Sequence, residues 1–465
     1  MVFSSLSFIF FFLPILFFIY FIAKEKYRNY ILLIFSLIFY SWGEPKYILL
    51  MIISIIMNYI FGILINNQKK NNKRKLFLVL AIIFHLGLLF YFKYTNFFVN
   101  NINNIFGLSI NSISVLLPIG ISFYTFQELS YLIDVYKKKI KVQKNIFYLG
   151  TYISFFPQLI AGPIVRYSDI EKQLKKRVCS FDKFCDGARR FIIGLGKKVL
   201  IANNVAIIVD GIFNNGGLSY LGALIIMIGM IAFTIQLYYD FSGYSDMAIG
   251  LAKMFGFDFL ENFNYPYIAT SVTDFWRRWH ISLSSWFRDY IYIPLGGNRV
   301  NKIKFLRNVL IVWFLTGLWH GASWNYVLWG LYMALFLLIE KVFKNQLEKI
   351  PNIIRWFVTF IFINISMILF KFENLSDIGI LLKNIFTFKG TDLLEFLWNN
   401  YNLINYFSFL IIGLIFMFPI INKFKKYNDN KVLFYIKDIV LIIIFLLSIG
   451  SLINNSYNPF IYFRF

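Results

Sequence analysis

Residues 309–339 contain no Asp, Glu, Lys or Arg. A helix crosses the hydrocarbon core of a bilayer with about 20 apolar residues, and inside that core every backbone N–H and C=O must be paired within the protein. A chain with such a stretch is therefore committed to membrane helices, and this chain repeats the pattern along its length. Uncharged runs cover residues 1–23, 29–43, 47–68, 76–92, 94–127, 145–165, 211–239, 356–370, 396–422 and 439–463. Residues 199–209 are too short alone and extend a helix begun near Phe191. The chain is 59% hydrophobic and 21% aromatic, beyond the range of soluble domains. The expected fold is all-α: a polytopic membrane protein of about 11–12 transmembrane or re-entrant helices. No long linker interrupts the runs, so residues 1–465 are expected to form a single domain.

The charges lie between the runs. Basic loops at residues 24–28, 69–75, 137–144, 341–349 and 423–437 account for most of the formal net charge of +23. Cytoplasmic loops carry the Lys and Arg excess, and alternating the segments puts these loops inside with both termini outside. This scattering suits membrane lipids as a partner and argues against nucleic acid, which needs basic side chains gathered on one face. Residues 1–23 have no preceding Lys or Arg and no small-residue cleavage site after them, so they read as a first span and not a removed signal. The tract 66–75 reads as a loop. Cys179 and Cys185 support neither a disulfide framework nor a metal site. The sequence has no GxSxG elbow, no GxxxxGK[ST] loop and no HExxH, and its three histidines lack the spacing of zinc ligands. The short glycine signal Gly194-Leu-Gly-Lys-Lys198 reads as a helix–loop boundary.

Two of the three histidines fall on the stretch 273–332. On a helical wheel started at Trp276, the residues Trp276, Trp279, His280, Leu283, Trp286, Phe287, Tyr290 and Ile291 share one arc. Arg277, Arg278, Ser282, Ser285, Arg288 and Asp289 share the opposite one. This predicts one amphipathic helix with an aromatic and a cationic face, lying at an interface or lining a polar cavity. Pro294-Leu-Gly-Gly297 is the turn that ends it. His280 is either a core histidine bracing the fold or a chemical group. His320 lies near the middle of the uncharged stretch 309–339, which forms one long tilted helix or two shorter ones, with Gly317 and Gly321 marking a place for a break. An ionisable group at that depth is a functional-site hypothesis by default. It either lines a polar reaction chamber or is satisfied by a backbone carbonyl. Asp240 and Asp246 sit among tyrosines and serines; they cap helices or hold Arg277, Arg278 or Arg288 in buried pairs.

Five segments carry a resemblance: FYTFQELSYLIDVY, PQLIAGPIVRY, QLYYDFSGYSDMAIGLAKMFGF, FWRRWHISLSSWFRDYIYIPLGGNR and LTGLWHGASWNYVLWGLY. Together they resemble the membrane-bound O-acyltransferase (MBOAT) superfamily over nearly the whole chain. The alginate O-acetyltransferase branch, which acts in polysaccharide O-acetylation, is the more similar; the branch that exports D-alanine to teichoic acids shares the WHISLS and WHG features. The resemblance implies that His320 matches the catalytic histidine and His280 the second one. It implies a central funnel that admits an acyl donor from the cytoplasm and an acceptor from outside. The donor expected is acetyl-CoA or a carrier-bound acetyl group, with no bound cofactor and no metal. The expected partner is an extracytoplasmic acetyltransferase of SGNH type or similar, the final acceptor an envelope polysaccharide, and the location the cytoplasmic (inner) membrane. Relatives often carry a histidine where this chain has Met333, so a role for a third histidine there is in doubt. The ending Phe460-Ile-Tyr462-Phe-Arg-Phe465 resembles that of envelope acylation partners, which makes Tyr462 a candidate acyl relay; an aromatic interfacial anchor is the other reading.

In this scheme His320 takes the proton of an attacking hydroxyl, and His280 orients the acceptor or stabilises the oxyanion. The cationic face of Arg277, Arg278 and Arg288 holds donor phosphates or lipid headgroups. D-alanyl transfer to teichoic acid, a transporter or flippase for an acylated carrier, and a scaffold recruiting a soluble transferase are the competing readings.

Overall fold

The computed structural model describes residues 2–214, 217–420 and 431–454. The secondary structure of these residues is helical, with an isolated bridge between Leu221 and Thr391. Seven helical stretches are long and apolar enough to cross a membrane: Ile48–Asn67, Asn71–Phe106, Phe181–Phe213, Ala223–Met254, Trp324–Val342, Asn352–Lys371 and Tyr435–Asn454. Two shorter apolar helices are Phe8–Ile22 and Tyr401–Phe416. The uncharged run 145–165 folds as the short helices Ile146–Ser154 and Phe156–Leu159. The helix Asn71–Phe106 continues through Lys93, where the sequence shows a break between runs. Likewise Gly194–Lys198 is no loop boundary: the helix passes through it by a π-helical turn, Lys197–Ala202, into Asn203–Phe213. The tract 66–75 contracts to a three-residue connection, 68–70.

The chain forms two compact units, residues 1–191 with 247–260, and residues 192–246 with 261–465. In the first, helices α1 (Ile48–Asn67), α2 (Asn71–Leu89) and α3 (Ile121–Tyr136) pack together. They are arranged polar-inward. On α1 the exposed positions are Leu49, Ile53, Ile56 and Ile60, whereas Ser54 and Asn58 are buried. In lipid an outward apolar surface costs nothing, so the inner face is free to carry polar groups that pair with one another. A second core joins Phe3, Phe8, Phe12, Phe39 and Phe156 through ring contacts of 5.1–6.1 Å. Arg177 ties that unit's segments, donating from Nη1 to Asn29 Oδ1 at 2.7 Å and from Nε to the Phe255 carbonyl at 3.1 Å.

The second unit contains α4 (Ala223–Met254, as far as Asp246), α5 (Val272–Arg278), α6 (Ile281–Phe287), α7 (Lys302–His320), α8 (Trp324–Val342) and α9 (Asn352–Lys371). Thus the stretch 309–339 is two helices, broken at Gly321, whose backbone is fully extended. Gly317 has a different job. A Cβ there would collide with the Tyr326 carbonyl, and one at Gly330 with the Trp313 carbonyl. The paired glycines let α7 and α8 cross with their backbones nearly touching, the small-residue packing that membrane helices use.

Candidate active site

The predicted amphipathic helix does not form as one piece. α5 ends at Arg278, α6 starts at Ile281, and His280 between them has φ 44° and ψ 55°. Side chains other than glycine seldom adopt this left-handed conformation, which costs about 1–3 kcal/mol unless the surroundings enforce it. Here the segment 262–264 enforces it. Asn264 N donates to the Arg278 carbonyl and Ile281 N to the Asn262 carbonyl, both at 2.9 Å. The Asn262 side chain, fully buried, completes the clamp: Oδ1 accepts from Ser282 N at 3.2 Å and from Ser282 Oγ at 2.9 Å, and Nδ2 donates to Ser245 Oγ at 3.1 Å. The aromatic residues Trp276, Trp279, Trp286, Phe287 and Tyr290 of the wheel's one arc are buried, but local periodicity carried no sign of a tertiary hydrogen bond that reverses the backbone.

Asn262 also sets the histidine's tautomer. A backbone N–H only donates, so the Asn262 atom facing Ser282 N is the oxygen. His280 Nδ1 lies 3.2 Å from that same oxygen and therefore carries the proton, which leaves Nε2 as the lone-pair nitrogen. His280 is fully buried, with Phe241 edge-on at 4.6 Å between centroids. It lies outside the seven candidate spans, and burial, then the neighbouring His320, hold it well below the ordinary imidazole range.

His320 is the last residue of α7 and is 2% exposed. Aromatic rings wall it: Trp319 at 5.1 Å, Trp329 of α8 at 5.0 Å and Phe370 of α9 at 5.3 Å. Trp319 also lies 5.9 Å from His280, so one indole touches both imidazoles. Trp276, Trp313 and Trp329 pack against one another at 4.7–6.2 Å and join α5 to α7 and α8. Met333 is buried on α8.

The carboxylates pair with lysines, not with the arginines of the cationic arc. Lys198 Nζ meets Asp240 at 2.6 Å with both side chains almost fully buried, and Lys197 Nζ meets Asp246 at 2.6 Å. The arginines find nearer partners within their own segments, Arg278 with Asp274 at 3.0 Å and Arg288 with Asp289 at 2.7 Å. A partner one helical turn away, or adjacent in the chain, needs no tertiary alignment. Arg277 sits in the last turn of α5. Tyr462 lies outside the described residues.

Two positioning groups escaped sequence reasoning. One is Asn262, which stands in no motif. The other is Glu340 at the end of α8, whose carboxylate accepts from Val272 N and, at 2.9 and 2.7 Å, from Thr273 N and Oγ. It caps the N-terminus of α5, where the helix dipole favours an anion. The charge that closes the run 309–339 is thus spent on orienting the segment that carries His280.

The sequence model of the membrane-bound O-acyltransferase (MBOAT) family matches residues 37–376. The chain belongs to this family. It is 45% identical over 405 residues to a probable alginate O-acetylase AlgI of Pseudomonas syringae pv. tomato, covering 85% of this chain and 77% of that protein. It is 35% identical to the peptidoglycan O-acetyltransferase of Helicobacter pylori, over 100% of this chain and 98% of that one. A teichoic acid D-alanyltransferase of Bacillus subtilis is 31% identical over 50% of this chain and 60% of its own. The chain is therefore an O-acyltransferase and a multi-pass membrane protein, and both histidines lie in the matched region. This MBOAT protein holds them in one unit, on segments that the connections through Asn262, Trp319 and Glu340 join.

Proposed function

We propose that the protein moves an acetyl group from a cytoplasmic donor, acetyl-CoA or a carrier-bound thioester, for O-acetylation of an extracytoplasmic polysaccharide or cell-wall polymer. The observation that carries this reading is the pair of buried histidines around Trp319, in a chain similar over 85% of its length to a probable alginate O-acetylase and over 100% to a peptidoglycan O-acetyltransferase.

The chemistry follows from the groups present. A neutral His320 accepts the proton of the attacking hydroxyl as oxygen bonds to the thioester carbonyl carbon. The tetrahedral intermediate collapses, the C–S bond breaks, and the thiolate leaves with the proton returned by the imidazolium. Atoms and charge balance without a metal or redox partner. The aromatic walls keep water from competing for the acyl group. His280, protonated on Nδ1, presents a lone pair at Nε2, which suits orienting a hydroxyl by accepting its hydrogen bond; in this tautomer it cannot donate to an oxyanion from that nitrogen. The tautomer thus favours the first of the two roles expected for it.

In this proposal the protein sits in the inner membrane with its basic loops in the cytoplasm and both termini outside. The final transfer to polymer falls to a separate extracytoplasmic acetyltransferase, with Tyr462 as the relay. Arg277, Arg278 and Arg288 contribute to donor binding, while Asp240 and Asp246 act through their lysine pairs as cavity structure. D-alanyl transfer is the second reading, favoured by the match of 50% of this chain to a teichoic acid D-alanyltransferase.

The test is the acyl content of isolated envelope polysaccharides and cell wall, measured by NMR in wild type, a deletion strain and a His320→Ala strain. Loss of an O-acetyl signal in both mutants is expected and identifies the polymer. Loss of a D-alanyl signal selects the second reading. A signal that survives His320→Ala but not the deletion overturns the assignment of His320 and moves the transporter or scaffold reading ahead.

A further inference from the structure

The third histidine lies in the first unit, outside the machinery described above. His85 on α2 and Glu128 on α3 are 1% and 0% exposed, and Nδ1 meets Glu128 Oε2 at 2.9 Å. Ser54 of α1 donates to both carboxylate oxygens, at 2.8 and 2.9 Å. One turn on, Asn58 Nδ2 lies 3.4 Å from His85 Nε2. All four side chains are buried, and both α1 and α2 belong to candidate membrane spans. We propose that His85, Glu128, Ser54 and Asn58 form a proton-binding site inside the first unit.

The geometry excludes the other chemistry these residue types suggest. In a nucleophilic triad the serine and the carboxylate engage opposite ring nitrogens. Here Ser54 and Glu128 both face Nδ1, and the serine hydroxyl is committed to the carboxylate. A metal is also disfavoured, because no group of three metal-ligating side chains occurs among the described residues.

What the cluster can do is hold one proton in either of two satisfied states. In the first, Nδ1–H donates to Glu128 and Nε2 accepts from the Asn58 amide; the pair carries one negative charge. Proton uptake at Nε2 turns that nitrogen into a donor. A half-turn of the Asn58 amide then brings Oδ1 against it, and Oδ1 is a buried atom with no other partner among the described residues. The proton comes from water and returns to it, and the pair passes from one negative charge to neutral. A residue locked as a structural pin has no use for a neighbour that pairs equally well with both states.

A route to the site is marked by buried hydroxyls. Tyr124, one turn from Glu128 on α3, lies within electrostatic reach of both Glu128 and Tyr40, and Tyr40 within reach of Glu44 and Tyr47, half-buried at the helix end. The hydroxyls of Tyr40 and Tyr124 are buried without a hydrogen-bond partner. Of the remaining charged groups on the packed helices, Lys73 and Lys75 of α2 are exposed and the others are engaged elsewhere. Arg74 of α2 donates to the carbonyls of Ile65, Val135 and Tyr136, Lys93 beyond α2 to Ser122 Oγ, and Asp134 of α3 lies 3.9 Å from Lys139. On α1 the titratable Tyr59 donates to the Lys144 carbonyl, and on α3 Tyr131 accepts from Gln143 N. Glu128 is thus the charge that His85 faces.

The test uses the full-length protein in lipid nanodiscs, labelled with ¹⁵N-histidine, which contributes three imidazoles in all. The His85 resonances are assigned by their loss in His85→Gln, or, should that variant not fold, by elimination with His280→Ala and His320→Ala. Spectra are recorded from about pH 5 to pH 9; expected is proton uptake at Nε2 on acidification, with the Nδ1 proton retained throughout. In Glu128→Gln the proton affinity at Nε2 falls by about tenfold or more. Tyr124→Phe slows deuterium exchange at His85 about tenfold or more. A His85 that keeps one protonation state across that range in the wild type overturns the proposal and leaves the cluster as a structural ion pair.

Discussion

The two units solve the problem of a histidine inside a membrane protein in opposite ways. In the first, His85 sits within regular helix and gains a carboxylate, so the charge of its protonated form has a counter-ion at 2.9 Å. In the second, His280 and His320 occupy helix junctions, walled by Phe241, Trp319, Trp329 and Phe370. Neutral amide and aromatic neighbours give an imidazolium little support, and burial, then the neighbouring His320, hold His280 well below the ordinary imidazole range. A proton carrier needs the first environment and a general base the second. The comparison teaches that the partner, more than depth, decides what a buried histidine is for.

The strongest way to break the comparison is His320→Ala. Loss of a general base lowers acyl transfer by about 10²–10⁴-fold, while the amount of folded protein by size-exclusion chromatography stays at the wild-type level. Activity within tenfold of wild type would place the chemistry elsewhere. Next in size is Asp240→Ala. It removes the carboxylate that meets Lys198, which is 4% exposed, and costs about 3–5 kcal/mol; thermal unfolding in detergent reads this, and the double variant Asp240→Ala, Lys198→Met regains most of the loss. Asn262→Ala sharpens the contrast most directly. It removes the acceptor that faces both His280 Nδ1 and Ser282 N, worth about 1–3 kcal/mol or roughly 5- to 150-fold in turnover. A drop in turnover at unchanged donor KM marks a positioning role, whereas proportional loss of folded protein marks a structural one. The smallest effect is that of Arg288→Ala, whose side chain is 61% exposed against Asp289. Surface pairs contribute about 0–1 kcal/mol, so stability is unchanged, and a raised donor KM is the reading that supports phosphate binding.

Much of the fold was legible because lipid simplifies the code: an uncharged run of sufficient length has few alternatives to a helix. The break beside His320 was legible in the glycines, although Gly317 serves close packing and Gly321 the break. The residues of the site were legible as rare ionisable groups in apolar surroundings. Their relations were not. Helical periodicity extends Trp276–Ile291 as one helix because it counts only local spacing, and the interruption at His280 is imposed from residues 262–264. Pairing of Asp240 and Asp246 with arginines looked favourable by charge, yet Lys197 and Lys198, read as a loop boundary, lie on a continuous helix against them. The pairing of His85 with Glu128 was not legible, since Glu128 stands 43 positions further along the chain.

By itself the sequence determined the solvent this chain folds in, the all-helical backbone that such a solvent requires, the family and the two histidines worth testing. Tertiary structure alone decided which way the backbone turns at His280, which nitrogen of its ring keeps the proton, which cation meets each carboxylate and which helix end Glu340 caps. The reason is physical. Burial and helix formation follow from composition summed over a segment, whereas a hydrogen bond or ion pair depends on the position of single atoms brought together from distant parts of the chain.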